Sequence, residues 1–158
     1  MKLQHPNLPL LLLQGRERLL SHFRPILNAH GFTEQQWRIA RVLLETSPLE
    51  PRQISEICCI SSPSLVGVLA RMRQLGVISK RPVAHDQRRV LISLTAKGRT
   101  LAESLVPEIE AAYRRIEREM GESFINGLRE TLSKLLTTLK AGAEAAGEPD
   151  LIAARAAR

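Results

Sequence analysis

Only two stretches of the chain read as β-strand, residues 77–79 and 90–94, β-branched segments on either side of a polar tip at His85-Asp86-Gln87. The ordered remainder shows apolar residues at helical spacing. A single hairpin cannot build a sheet core and is marginal in water unless it packs on something larger. The expected class is therefore mainly α, with the hairpin as an appendage of a helical body. The chain's 158 residues suit one compact domain, long enough to bury a core without disulfides or a metal.

Residues 10–29 read as a helix with Leu12, Leu13, Leu19, Leu20, Phe23, Ile26 and Leu27 as apolar positions. Pro25 is expected to kink it or loosen its last turn, and Gly31 suits a stop. Thr33 and Gln36 have capping-box spacing. They open a second helix to about residue 46, with Trp37, Ala40, Leu43 and Leu44 on its buried face. Ser47-Pro48 ends that helix. A short helix over 51–58 carries Ile54 and Ile57. Ser61 or Ser62 then caps another, with Pro63 in the first turn, where a missing N–H costs least. Its buried stripe is Leu65, Val68, Leu69 and Met72, and Leu75-Gly76 closes it.

After the hairpin, Thr95 caps a long helix to about residue 119, which Pro107 is expected to kink. Gly121 separates a last helix over 123–140, with Phe124, Leu128, Leu132, Leu135, Leu136 and Leu139 in register. The first and last helices are the most apolar and have no adequate core of their own, so each is expected to pack against a second copy of the chain. The Ala/Gly-rich tail over 143–158 has no clear stripe and no assigned role.

Charge is distributed unevenly. The formal net charge is +7, yet residues 50–100 carry nine Lys/Arg against three Asp/Glu, while residues 101–158 carry eight against ten. A basic excess in the middle of a chain fits one face of one module meeting a polyanion. Residues 51–76 have the shape of a helix-turn-helix. Ser61, Ser62 and Ser64 at the start of its second helix can bring hydroxyls and backbone N–H groups to phosphates and base edges. Arg71 and Arg73 lie within reach of phosphates. On their own, the serines also fit a plain helix cap.

The hairpin adds Lys80 and Arg81 before its tip and Arg88 and Arg89 after it. A cationic finger of this kind suits a narrow minor groove, and Asp86 can brace the Arg88 guanidinium. A hairpin made soluble by charge would explain the cations but leaves Asp86 without a role. Arg52 and Gln53 are further candidates for phosphate contact. The expected lobes are 31–94, a DNA-binding winged helix-turn-helix, and 1–30 with 95–142, a helical dimerisation region.

Other functions find little support. His5, His22, His30 and His85 are scattered, and Cys58 and Cys59 lack C-x-x-C spacing, so no metal site and no cofactor are expected. No P-loop, dinucleotide fingerprint or nucleophile elbow occurs, which speaks against an enzyme. Adjacent cysteines suit a reducing compartment. The longest apolar run, residues 8–13, is interrupted by Pro9 and lacks the flanks of a signal peptide. Cytoplasmic placement without membrane contact is the expectation.

The SSPSLVGVLARM helix, the DQRR wing tip with its Asp-x-Arg spacing, and the LTAKGR entry to the long helix resemble the MarR family of winged-helix regulators over about residues 8–140. Within it, FRPIL, TEQQWRI and the Gly15-Arg16-Glu17 stretch resemble the subgroup that controls homoprotocatechuate (4-hydroxyphenylacetate) degradation operons. The resemblance implies a homodimer on a pseudopalindromic double-stranded operator, usually repressing and released by an aromatic carboxylate. It also implies a pocket where the dimerisation helices meet the DNA-binding lobe. Candidates there are Arg16 for the carboxylate, flanked by Leu12, Leu13, Leu19 and Leu20 and so expected to be partly buried, Phe23 and Trp37 as aromatic walls, and Ser21, His22 and Arg41 for a ring hydroxyl. Trp37 equally fits a core position, and Arg16 an ion pair with an acidic partner across the dimer. Two alternatives remain open: a thiol redox regulator using Cys58 or Cys59, and an architectural DNA-binding protein without an effector.

Overall fold

A computed structural model describes residues 5–83 and 86–145. The His85 end of the wing tip and residues 146–158 of the tail lie outside the described residues. The elements are α1 (Leu8–Ser21), α2 (Arg24–Ala29), α3 (Glu34–Glu45), α4 (Pro51–Cys58), α5 (Ser62–Gln74), β1 (Ile78–Val83), β2 (Asp86–Leu94), α6 (Ala96–Met120) and α7 (Glu122–Ala145). The fold is mainly α, with one antiparallel hairpin.

Two elements differ from expectation, both at prolines. The first predicted helix is two helices, broken at His22-Phe23. Pro25 has no N–H to return to the carbonyl of Ser21, so the first helix ends there. The break turns Phe23 into the core, where it is 8% exposed. At Pro107 the opposite holds, and α6 runs on without interruption. Ala102, Leu105, Ile109, Ala112 and Ile116 are buried on both sides of that proline. Their packing offsets the roughly 3 kcal/mol cost of an internal proline, and the Glu103 turn that loses its hydrogen bond faces solvent. In α4 the buried residues are Ile54, Ser55 and Cys58, and Ile57 is 55% exposed.

The Thr33–Gln36 capping box forms at the start of α3, with Gln36 Oε1 accepting the Thr33 N–H at 2.9 Å and Thr33 Oγ1 accepting the Gln36 N–H at 3.2 Å. The hairpin is longer than its β-branched cores, pairing Ile78 with Leu94 through Pro82 with Val90, with an irregularity between Pro82 and Val83. A two-stranded ribbon has an open edge, which accommodates Pro82. At its base, Leu49 and Ile92 exchange backbone hydrogen bonds of 3.0 and 2.7 Å, tying the ribbon to the α3–α4 link. One core runs from Phe23 and Leu27 through Ile39, Leu43, Ile54 and Met72 to Ile92 and Leu105. By contrast, α1 has no buried residue, and Leu11, Leu13, Phe124, Leu136 and Leu139 are all more than half exposed.

The tightest junction joins β1 to α6. Thr95 Oγ1 donates to the Gly76 carbonyl at 2.6 Å and accepts the Gly98 N–H at 3.0 Å. An ideal Cβ on Gly98 would lie 1.9 Å from the Val77 carbonyl oxygen. Gly98→Ala is therefore expected to destabilise the chain by about 1–3 kcal/mol. Gly67→Ala, inside α5 with nothing within 4 Å of its added Cβ, should stabilise it by up to about 1 kcal/mol. Urea midpoints of the two variants check both signs.

Candidate nucleic-acid interface

The turn between α4 and α5 is held from beneath. Cys59 adopts a left-handed conformation (φ 51°), Ser55 Oγ donates to the Ile60 carbonyl at 2.5 Å, and the Arg38 guanidinium donates to the Cys58 carbonyl. With the turn set, Ser61 becomes the N-cap of α5. Its side chain caps no backbone N–H and donates to Ser64 Oγ at 3.0 Å. Ser64 is exposed at the helix start, Ser62 is half-buried beside it, and Arg71 and Arg73 are exposed in the last turn.

Lys80 and Arg81 are exposed on β1 and Arg89 on β2. Arg89 forms an ion pair with Glu50, the N-cap residue of α4. The Glu50 N–H in turn donates to Gln53 Oε1 at 2.8 Å. The Arg89 pKa is raised, first by its hydrogen bond to Glu50 and then by the charges of Glu50 and Asp86. The brace expected from Asp86 to Arg88 involves an Arg88 side chain outside those described. Arg52 lies on the exposed side of α4, paired with Glu56 at 2.9 Å. The Arg89–Glu50 pair therefore brings the wing and the start of α4 together. Glu50 is the residue that sequence reasoning missed; its only signal was a carboxylate just before a Pro-initiated helix.

The candidate effector residues divide into two groups. Arg16 is exposed rather than buried among leucines, pairing with Glu17 at 2.8 Å and with Glu34. Ser21 Oγ donates back to the Arg18 carbonyl at 2.7 Å, and His22 is half-buried at the helix break. The second group lies where α3 meets α6. Phe23 packs against Tyr113 with ring centroids 4.8 Å apart. Arg41 Nη1 donates to the Tyr113 hydroxyl at 3.3 Å, and its guanidinium carbon lies 5.9 Å from the Tyr113 ring centroid. Partial burial opposes the charge on Arg41, but hydrogen bonds to Tyr113 and Glu45 outweigh it and its pKa is raised. Trp37, one turn before Arg41, is half-buried and edge-on to Phe32 at 6.3 Å. Tyr113 was missed from sequence, although it is the chain's one tyrosine and adjoins the Ile109–Ala112–Ile116 stripe.

The two cysteines differ. Cys58 is buried and Cys59 exposed. Burial pushes the Cys58 thiol up to about 11, with the nearby Arg38 charge opposing and Cys59 adding to the rise.

Residues 30–89 match the sequence model of the MarR family. The homoprotocatechuate degradative operon repressor of Escherichia coli is 39% identical over 132 residues, spanning 84% of this chain and 89% of its own length. The chain belongs to the MarR family. Among solved structures, transcriptional regulator PA4135 superposes with a TM-score of 0.82 at 42% identity, covering 84% of this chain and 98% of that one. NadR in complex with 4-hydroxyphenylacetate gives 0.75 at 37% identity, covering 85% and 96%.

This MarR-family chain is a DNA-binding transcription regulator with a winged helix, not an enzyme; the β1–β2 hairpin is its wing. For the thiols, a pKa of about 11 leaves about one Cys58 in a thousand as thiolate at pH 8. Iodoacetamide at that pH is expected to label Cys59 in the folded protein and spare Cys58, as read by peptide mass mapping. Comparable labelling of both would contradict the burial of Cys58.

Proposed function

We propose that the chain is a cytoplasmic homodimeric repressor of an operon for aromatic-compound degradation, bound to a pseudopalindromic operator and released by a small aromatic carboxylate. Kinship with the E. coli homoprotocatechuate operon repressor and with 4-hydroxyphenylacetate-bound NadR supports the assignment. The observation that carries the effector half is the Arg41–Tyr113 pair, where a guanidinium, a phenol hydroxyl and the Phe23 ring converge between α3 and α6. Of the two candidate arginines, Arg41 is the better anchor. Arg16 is already met by two carboxylates, Glu17 and Glu34, whereas the one carboxylate on Arg41 is Glu45, which is 65% exposed. A guanidinium also presents the fork that a carboxylate binds at two points.

The exposed leucines of α1 and α7 support dimerisation through 1–30 and 95–142, because apolar faces of that extent are costly in water. A two-fold axis would set two copies of the 31–94 lobe on successive major grooves, roughly 34 Å apart. Ser61, Ser62, Ser64 and the start of α5 then meet base edges. Arg52, Arg71, Arg73, Lys80, Arg81, Arg88 and Arg89 lie along the flanking phosphates and minor groove, with Gln53 and Asp86 positioning their neighbours.

Operator affinity measured with increasing 4-hydroxyphenylacetate, other aromatic acids and peroxide tests the signal. An aromatic acid is expected to release wild-type protein, and Arg41→Ala should raise its half-effective concentration about tenfold or more, with a smaller effect from Arg16→Ala. Release by peroxide alone would favour a thiol sensor instead. The paired change Leu136→Asp and Leu139→Asp should give a monomer in sedimentation and abolish operator binding; a variant that remains dimeric would refute the proposed interface. Arg81→Ala should flatten the plot of log affinity against log salt by about one unit.

A further inference from the structure

The outward face of α5 contains little that can read a hydrogen-bond pattern. Leu65 and Met72 are buried, with Val68 and Leu69 half-buried beside them. The opposite face presents Pro63, Val66, Gly67 and Ala70, and no charged side chain occurs in α5 before Arg71. Val66 is 69% exposed, the most exposed of the large apolar side chains among the described residues. Most of the others lie on α1, α6 and α7, whose apolar faces a second copy of the chain can cover. Val66 has no such explanation, since α5 lies in the winged-helix lobe.

Gly67 is the second observation. It has no positive φ, and an added Cβ would meet nothing within 4 Å. Neither backbone conformation nor packing within the chain requires a glycine in the middle of this helix. What its small size permits is close approach of the helix backbone to something outside the chain. A bare, apolar helix face seated closely in the major groove meets base edges, and the one apolar group those edges carry is the thymine 5-methyl.

We infer that Val66 contacts thymine methyl groups in the major groove and so sets part of the operator's sequence preference. Valine neither donates nor accepts a hydrogen bond, so it cannot distinguish bases by their polar edges. It can reward a methyl by burying it, and it can disfavour bases that would leave a polar edge unpaired against it. Ser64, two residues earlier in the first turn of α5, supplies a polar readout of its own. The inference rests on α5 entering the major groove, and the experiment separates the two claims.

The full-length protein is used with the duplex it selects from a random library. Replacing individual thymines with uracil removes only the methyl. Wild type is expected to lose about fourfold in affinity per half-site at one thymine position, the worth of one buried methyl. Val66→Ala should lose a comparable factor on the unmodified duplex and then be indifferent to uracil at that position. Because Val66 is exposed, this variant should melt with wild type. Equal uracil penalties in wild type and Val66→Ala, or no penalty at any position in wild type, would overturn the inference. Val66→Asp tests the placement itself: it should abolish operator binding by setting a carboxylate against the DNA, and full affinity in that variant would show that α5 does not enter the groove, removing both claims together.

Discussion

The end of α5, the start of β1 and the first turn of α6 meet at a contact that admits no Cβ. Gly98 stands against the Val77 carbonyl, Thr95 bonds the Gly76 and Val77 carbonyls, and Lys97 Nζ reaches the Leu75 carbonyl at 2.9 Å. The Arg71, Met72 and Arg73 carbonyls at the end of α5 accept the backbone N–H groups of Leu75, Val77 and Gly76, and the Leu75 carbonyl just beyond is met by Lys97 of α6. As a result, the helix whose N-terminus presents the serines, the wing strand and the long helix leading to α7 are fixed to one another at a single point. Close packing resists gradual deformation, so α6 cannot tilt without carrying α5 and the wing with it.

Ion pairs set orientation on this frame more than they add stability. Exposed pairs contribute little individually, and the arginines of the Arg52–Glu56 and Arg89–Glu50 pairs are exposed. Their value is positional. The Glu50–Arg89 pair connects the wing to the N-cap of α4, and the Glu50 N–H is itself held by Gln53. On the other side, Glu34 pairs with Arg38 at 2.9 Å, also engages Arg16 of α1, and Arg38 reaches the Cys58 carbonyl at the α4–α5 turn. A polar chain thus runs from α1 to the turn that presents α5. Counting net charge finds the basic module but not these carboxylates, which decide where the cations point.

Patterns whose physics is local could be read without the structure. The Thr33–Gln36 box, the Pro-initiated α4 and α5, and the Thr95 cap each depend on residues three or four apart. Proline was harder because its effect depends on what packs nearby. Pro25 breaks its helix where turning Phe23 inward is rewarded, while Pro107 is overridden by a buried stripe on both sides. Contacts between distant segments left no mark in the pattern: Glu50 and Arg89 are 39 residues apart, and Arg41 and Tyr113 are 72 apart. Exposure was partly misjudged for a related reason. A leucine-rich helix suggested a sheltered Arg16, but one copy of the chain leaves α1 without a buried residue.

The same frame explains how a ligand between α3 and α6 could act at the DNA without touching it. Arg41 and Tyr113 bridge α3 and α6, and α6 continues unbroken through Pro107 to the Gly98 contact. In the proposed mechanism, a carboxylate drawing Arg41 away from Tyr113 would change the spacing of α3 and α6 at one end. The rigid junction at the other end would then reorient α5 and the wing. Such a ligand shifts DNA affinity only if it binds one spacing more tightly than the other. Under the proposed function Arg41 would supply that difference, since its 3.3 Å hydrogen bond to Tyr113 is the bond a competing carboxylate would replace. Ligand binding and close α3–α6 packing then draw on the same guanidinium and oppose each other through it.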